Sequence, residues 1–155
     1  MTRKHRKEVS FDFDDIRRVI EDSSESSAIY VGADSQRYKK RGQHYVAYVT
    51  VIIIHIDGEH GGRLFKQIEV ERDYGQVRLR LMNEVYRASA AAMEIQDFIG
   101  NRTFEIHLDI NPDENFKSNA VVKEATGYVL GMFGFKPKIK PNGFAASTVS
   151  DRYTK

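Results

Sequence analysis

The sequence contains no cysteine. That excludes disulfides and thiolate metal sites, and it is compatible with a reducing, cytoplasmic setting. Long apolar runs are also missing. The longest extends from Tyr45 to Ile56, well short of the ~20 residues a membrane-spanning helix needs, so no membrane partner is expected. A secretory leader is not expected either, because Met1 is followed by Thr-Arg-Lys-His-Arg-Lys and then by acidic residues rather than an apolar core. A strong net charge is lacking: 24 basic against 22 acidic side chains leave +2. Total charge therefore selects no partner. No internal repeat or long linker divides the 155 residues, a length that suits one domain with one core.

The distribution of charge is more informative than its sum. Basic residues cluster at Arg3, Lys4, Arg6 and Lys7, and again at Arg37, Lys39, Lys40 and Arg41. The tail adds Lys136, Lys138, Lys140, Arg152 and Lys155 against Asp151. Such stripes suit a phosphate backbone, although a solvated surface carries similar charge. Residues 1 to 9 read as a flexible basic arm, and residues 10 to 155 as a single domain.

The hydrophobic pattern predicts a helix from about Asp12 to Asp22, with Ser10 or Asp12 as its cap and Phe13, Ile16, Val19 and Ile20 as its apolar stripe. Strands are expected over Ala28 to Asp34, His44 to Ile56 and Arg63 to Glu71, as an antiparallel meander. A long amphipathic helix follows from about Gln76 to Ile99, marked by Leu81, Val85, Ala88, Ala92 and Ile95 and stopped near Gly100. Then come a strand from Thr103 to Ile110, a helix from Asn119 to Phe133, a short strand from Phe135 to Lys140, and a final helix from about Ala145. Helical crossovers make the first, fourth and fifth strands parallel, which gives an α/β fold with a mixed sheet flanked by helices and an extra helix at the N-terminus.

Four acids stand where this topology can gather them. Asp34 ends the first strand, Asp109 ends the fourth, Glu84 lies on the crossover helix between them, and Asp151 lies in the final helix. Ligands collect at the carboxyl ends of parallel strands. Carboxylates suit hard divalent cations, and a metal pair activates water and stabilises the leaving oxygen in phosphodiester cleavage. Singly, each acid has an ordinary reading: a turn residue for Asp109 before Asn111-Pro112, a surface helix position for Glu84, an ion pair with Arg152 or Lys155 for Asp151. Ser35 and Gln36 are candidates for phosphate contact or for capping the turn. His107 shares a face with Asp109 and is a candidate to orient water or contact phosphate, or else a satisfied histidine. Lys136 and Lys138 lie on one side of an edge strand, where they either meet nucleic acid or block edge pairing.

Val-Gly-Ala-Asp-Ser-Gln (31 to 36), His-Leu-Asp-Ile-Asn (107 to 111) and Phe-Ala-Ala-Ser-Thr-Val-Ser-Asp-Arg-Tyr-Thr-Lys (144 to 155) resemble the YkuK-like family, which is grouped with ribonuclease H-like nucleases. The similarity runs from about residue 10 to the end. It implies a five-stranded sheet of order 3-2-1-4-5 and an acidic metal site at Asp34, Glu84, Asp109 and Asp151, loaded with two Mg²⁺ or Mn²⁺ ions. Ser35, Gln36, His107, Lys136, Lys138, Arg152 and Lys155 are the expected substrate contacts. Glu94 lies on the same helix as Glu84, so helical register decides between them. The resulting expectation is a nuclease acting on RNA, DNA, a hybrid or branched nucleic acid. A non-catalytic nucleic-acid-binding or protein-interaction module on the same fold is the alternative, and homodimerisation stays open.

Overall fold

A computed structural model describes residues 7–56, 61–110 and 116–139, with side chains from residue 120 onward in the last stretch. The first helix, α1, spans Phe13–Asp22. Asp12 caps it by accepting the Asp15 amide at 3.1 Å, and Asp14 and Asp15 complement the positive end of the helix dipole. Ile16 and Ile20, one turn apart, are its fully buried residues. Ser23 stops the helix by turning its amide and hydroxyl back onto the carbonyls of the last turn.

Strand β1 runs over Ala28–Lys40, β2 over Gln43–His55 and β3 over Gly62–Arg72. They pair as the expected antiparallel meander. β1 is nearly twice the length expected, because Ser35 to Lys40 continue straight into a tight hairpin with β2. Their polar side chains hide the strand from hydrophobic periodicity, whereas an unbroken ladder of partners from Ala28↔His55 to Lys40↔Gln43 supplies it. Arg41 and Gly42 close the hairpin with φ of 51° and 77°, the two positive values of the mirror-image turn that matches strand twist.

Helix α2 covers Val77–Ile95 and continues as a short 3-10 turn over Gln96–Phe98. Gly100, at φ 60°, follows the break. β4 spans Thr103–Leu108, α3 spans Phe116–Phe133 and β5 is a two-residue pairing at Lys138–Ile139. Both ends of the expected fifth strand are trimmed: Pro137 has no amide to donate, and Lys140 lies outside the described residues. The expected helix from Ala145, and Asp151, Arg152 and Lys155 with it, likewise lie outside them.

The sheet order is β3-β2-β1-β4-β5, with β1, β4 and β5 parallel. One core lies between the helices and the sheet. Ile29, Val31 and Ala33 of β1, Ile52 and Ile54 of β2, and Ile106 and Leu108 of β4 meet Met82, Val85, Ala88, Ala92 and Ile95 of α2, and Val121, Ala125 and Val129 of α3. Small residues at 88, 89, 91 and 92 line the buried side of α2. Glu8 and Val9, at the end of the expected arm, are tied to the β3 edge. Val9 exchanges backbone bonds with Ile68, and Glu8 accepts the Val70 amide, an arrangement that covers an otherwise open strand edge. No helix among the described residues is long and apolar enough to cross a membrane.

Candidate acidic site at the end of the parallel ladder

Ala33 and Leu108 are the last partners of the parallel β1–β4 ladder. The next residue on each strand is an aspartate, so Asp34 and Asp109 stand side by side where β4 stops, on neighbouring strands roughly 4.8 Å apart. Both are partly exposed. The sequence places Asp34 at the end of its strand; in fact β1 continues for six residues with β2 alone. The end that matters is that of β4, whose last pairing with β1, Ala33↔Leu108, comes one residue before Asp34.

Glu84 reaches this point from α2. It is 3% exposed, whereas Glu94, ten residues further along the same helix, is exposed; the helical register therefore selects Glu84. The Ser35 hydroxyl donates to Glu84 Oε2 at 2.5 Å and accepts from Arg80 Nη1 at 3.0 Å. Arg80 also lies 3.9 Å from Glu84 Oε2. Burial, and after it the negative charge of Asp34, push the Glu84 carboxyl well above the usual carboxylate range. Asp109 adds to the rise, while Ser35 and Arg80 oppose it. Both strand aspartates thus act on the buried helix carboxyl, so the three acids share one electrostatic environment.

The donor chemistry fits a hard divalent cation: the set is oxygen-only, and a cation would offset the mutual repulsion of the acids. Glu84 would have to exchange its Ser35 contact to take part. Among the described residues no group of three or more His, Asp or Glu is drawn tightly enough to hold an ion as it stands.

The remaining expected contacts divide. Ser35 is a partner of Glu84 rather than a turn cap, although its own amide bonds Asp34 Oδ1 at 2.8 Å. Gln36 is partly exposed, two residues beyond Asp34. His107 is corrected: it is 0% exposed, held by Glu105 Oε1 at 2.9 Å and packed on Tyr30 with centroids 4.9 Å apart. A phosphate cannot reach a ring buried in this way, so His107 supports the ladder from within. Lys138 pairs with His107 across β4 and β5 and is exposed, as is Lys136. Arg80 was missed, although its i,i+4 spacing to Glu84 on a helix is a readable signal.

The ribonuclease H-like family model matches residues 12–155. The chain is a member of the ribonuclease H-like family, in keeping with its five-stranded mixed sheet. It is also 29% identical over 152 residues to the "Uncharacterized protein YkuK" of Bacillus subtilis (strain 168), an alignment covering 88% of this chain and 84% of that protein. No solved structure matches significantly.

Proposed function

We propose that this chain is a cytoplasmic, metal-dependent nuclease that hydrolyses phosphodiester bonds in RNA, DNA or branched nucleic acid. The observation that carries this reading is the fully buried Glu84 carboxyl, whose ionisation is opposed by both Asp34 and Asp109 at the place where the β1–β4 ladder ends. Asp34, Glu84 and Asp109, joined by Asp151, would hold two Mg²⁺ or Mn²⁺ ions. Such ions supply water activation and stabilisation of the leaving oxygen. The chain's own residues do the rest. Ser35 and Arg80 fix the Glu84 carboxyl, and Gln36, Lys136, Lys138, Arg152 and Lys155 engage the phosphate backbone.

The test is cleavage of single-stranded, duplex, hybrid and branched substrates in Mg²⁺ or Mn²⁺. Asp34→Asn and Asp109→Asn are expected to lower the rate roughly 100-fold or more, since even residues that only orient metal ligands matter by 10–100-fold, while circular dichroism stays unchanged. Cleavage persisting equally in both variants rejects this assignment. One observation favours a second reading, a non-catalytic nucleic-acid-binding module: Glu84 is already engaged by Ser35 and Arg80, as in a structural ion pair. That reading expects salt-sensitive binding without turnover in either metal.

A further inference from the structure

A cleft of about 360 Å³ is lined by Arg80, the helix residue bonded to Ser35. Its wall is the N-terminal half of α2, including Arg80 and Asn83. Its floor includes Tyr48 of β2, and Tyr74 stands at its rim in the turn between β3 and α2. Arg80 belongs both to this wall and to the hydrogen bond with Ser35, so the cleft shares one residue with the group that holds Glu84.

Three features define what fits there. Tyr74 is 76% exposed, a large ring left mostly to solvent, with the Arg72 guanidinium 6.0 Å from its centroid. At the floor, Asn83 Nδ2 donates to Tyr48 Oη at 3.2 Å, placing an amide and a phenol together as a polar edge. The acids of the lining are each engaged by a cation from outside it, Arg87 being shared between Glu71 and Glu69. Asp73 is bound by Arg37 at 2.6 Å and by the Gly75 amide at 2.9 Å; these partners hold its carboxyl below the usual range, Arg37 first. Glu71 is bound by Arg87. Arg72 and Arg80 are the cations the lining itself presents, and beside the Tyr74 ring they suit an anionic ligand carrying a flat ring.

We propose that this cleft is a subsite for one unpaired nucleotide of a single-stranded nucleic acid, with the base stacked on Tyr74 and its phosphate drawn toward Arg80. The inference rests on the reading that the neighbouring acids act on nucleic acid, and it adds that the strand is single. The volume, at the low end of the ~300–1,000 Å³ of small-ligand pockets, admits a nucleotide unit and not a base pair with both backbones. Aromatic stacking tolerates any base, because every base has a π-face.

Fluorescence anisotropy with labelled oligo(dT), oligo(U) and a blunt duplex of equal length, in EDTA so that no turnover intervenes, tests it. The single strands are expected to bind more tightly than the duplex. Tyr74→Ala, at an exposed position, should weaken single-strand binding roughly 5- to 100-fold, the effect of losing one stacked base, and Tyr74→Phe should retain it. Unchanged affinity in Tyr74→Ala, equal binding of duplex, or no binding of any oligonucleotide at low salt overturns the subsite. Cleavage that needs Asp34 alongside an inert Tyr74 refutes this inference alone. Tyr74-dependent binding without cleavage refutes only the nuclease reading.

Discussion

Ser35 donates its hydroxyl to Glu84 Oε2 at 2.5 Å while accepting from Arg80, so a strand residue and a helix residue 49 positions apart are joined beside two aspartates. The bond counters, but does not cancel, the unfavourable burial of the Glu84 charge. Stability and the proposed cation binding and chemistry all converge on this link.

The Glu84 carboxyl is raised in the folded chain above its ordinary value of 4.5. The folded state therefore holds this proton more tightly than the unfolded state does. That contribution to stability is complete below about pH 4.5 and is lost as pH rises through the raised folded value. Glu84→Gln, which mimics the protonated form, is expected to stabilise the metal-free protein at neutral pH by on the order of 1 kcal/mol. The gain should shrink as pH falls toward 4.5. Urea denaturation in EDTA at several pH values measures this, and a variant no more stable than wild type at neutral pH contradicts it.

Cations should reverse that balance. Mn²⁺ at about a hundred times its Kd adds about 2.7 kcal/mol to a folded state that alone binds it, read as a rise in Tm. Asp34→Asn and Asp109→Asn are each expected to lose most of the rise. A Tm shift of the same size in wild type and both variants would remove these residues as ligands.

Ile106 and Lys138 separate core from surface on adjacent strands. Ile106 is fully buried among α2, α3 and β1 residues, so Ile106→Ala should cost about 2–5 kcal/mol through lost burial and the cavity left behind. Lys138 is exposed, and Lys138→Ala should stay within about 0.5 kcal/mol of wild type while weakening nucleic-acid binding. Equilibrium denaturation and anisotropy together check the pair.

The β1–β2 hairpin turn places Arg41 at φ 51° and Gly42 at φ 77°. A side chain at Gly42 meets nothing nearby, so Gly42→Ala is destabilising for conformational reasons alone, by about 1 kcal/mol. Arg41→Asn relieves part of the same strain, as Asn-Gly is the preferred pair for this turn, and should raise the denaturation midpoint. A midpoint unmoved by both substitutions would show that the turn does not hold this geometry.

The order of elements was legible in the chain because each carries its own local signal. The β-branched run of β2 and the 3.6-residue stripes of α1 and α2 identify themselves without reference to neighbours. The outer half of β1 was not legible. Ser35 to Lys40 are polar or charged apart from Tyr38, and only pairing with residues 43 to 48 makes them strand. His107 misled for a related reason: alternation places it beside Asp109, but the packing of Tyr30, 77 residues earlier in the chain, is not local.

The sequence alone determined an α/β order of elements with an aspartate at the end of each of two parallel strands, since strand alternation and helical crossovers are written in local composition; the ribonuclease H-like family entered through the resemblance of residues 31 to 36, 107 to 111 and 144 to 155. Tertiary structure decided the rest. It brought Asp34 level with Asp109 through the Ala33↔Leu108 register, chose Glu84 over Glu94 by burying one and exposing the other, and set Arg80 and Ser35 against the chosen carboxyl. Those choices depend on register and on which helix face meets the sheet, and both are fixed only when distant segments pack together.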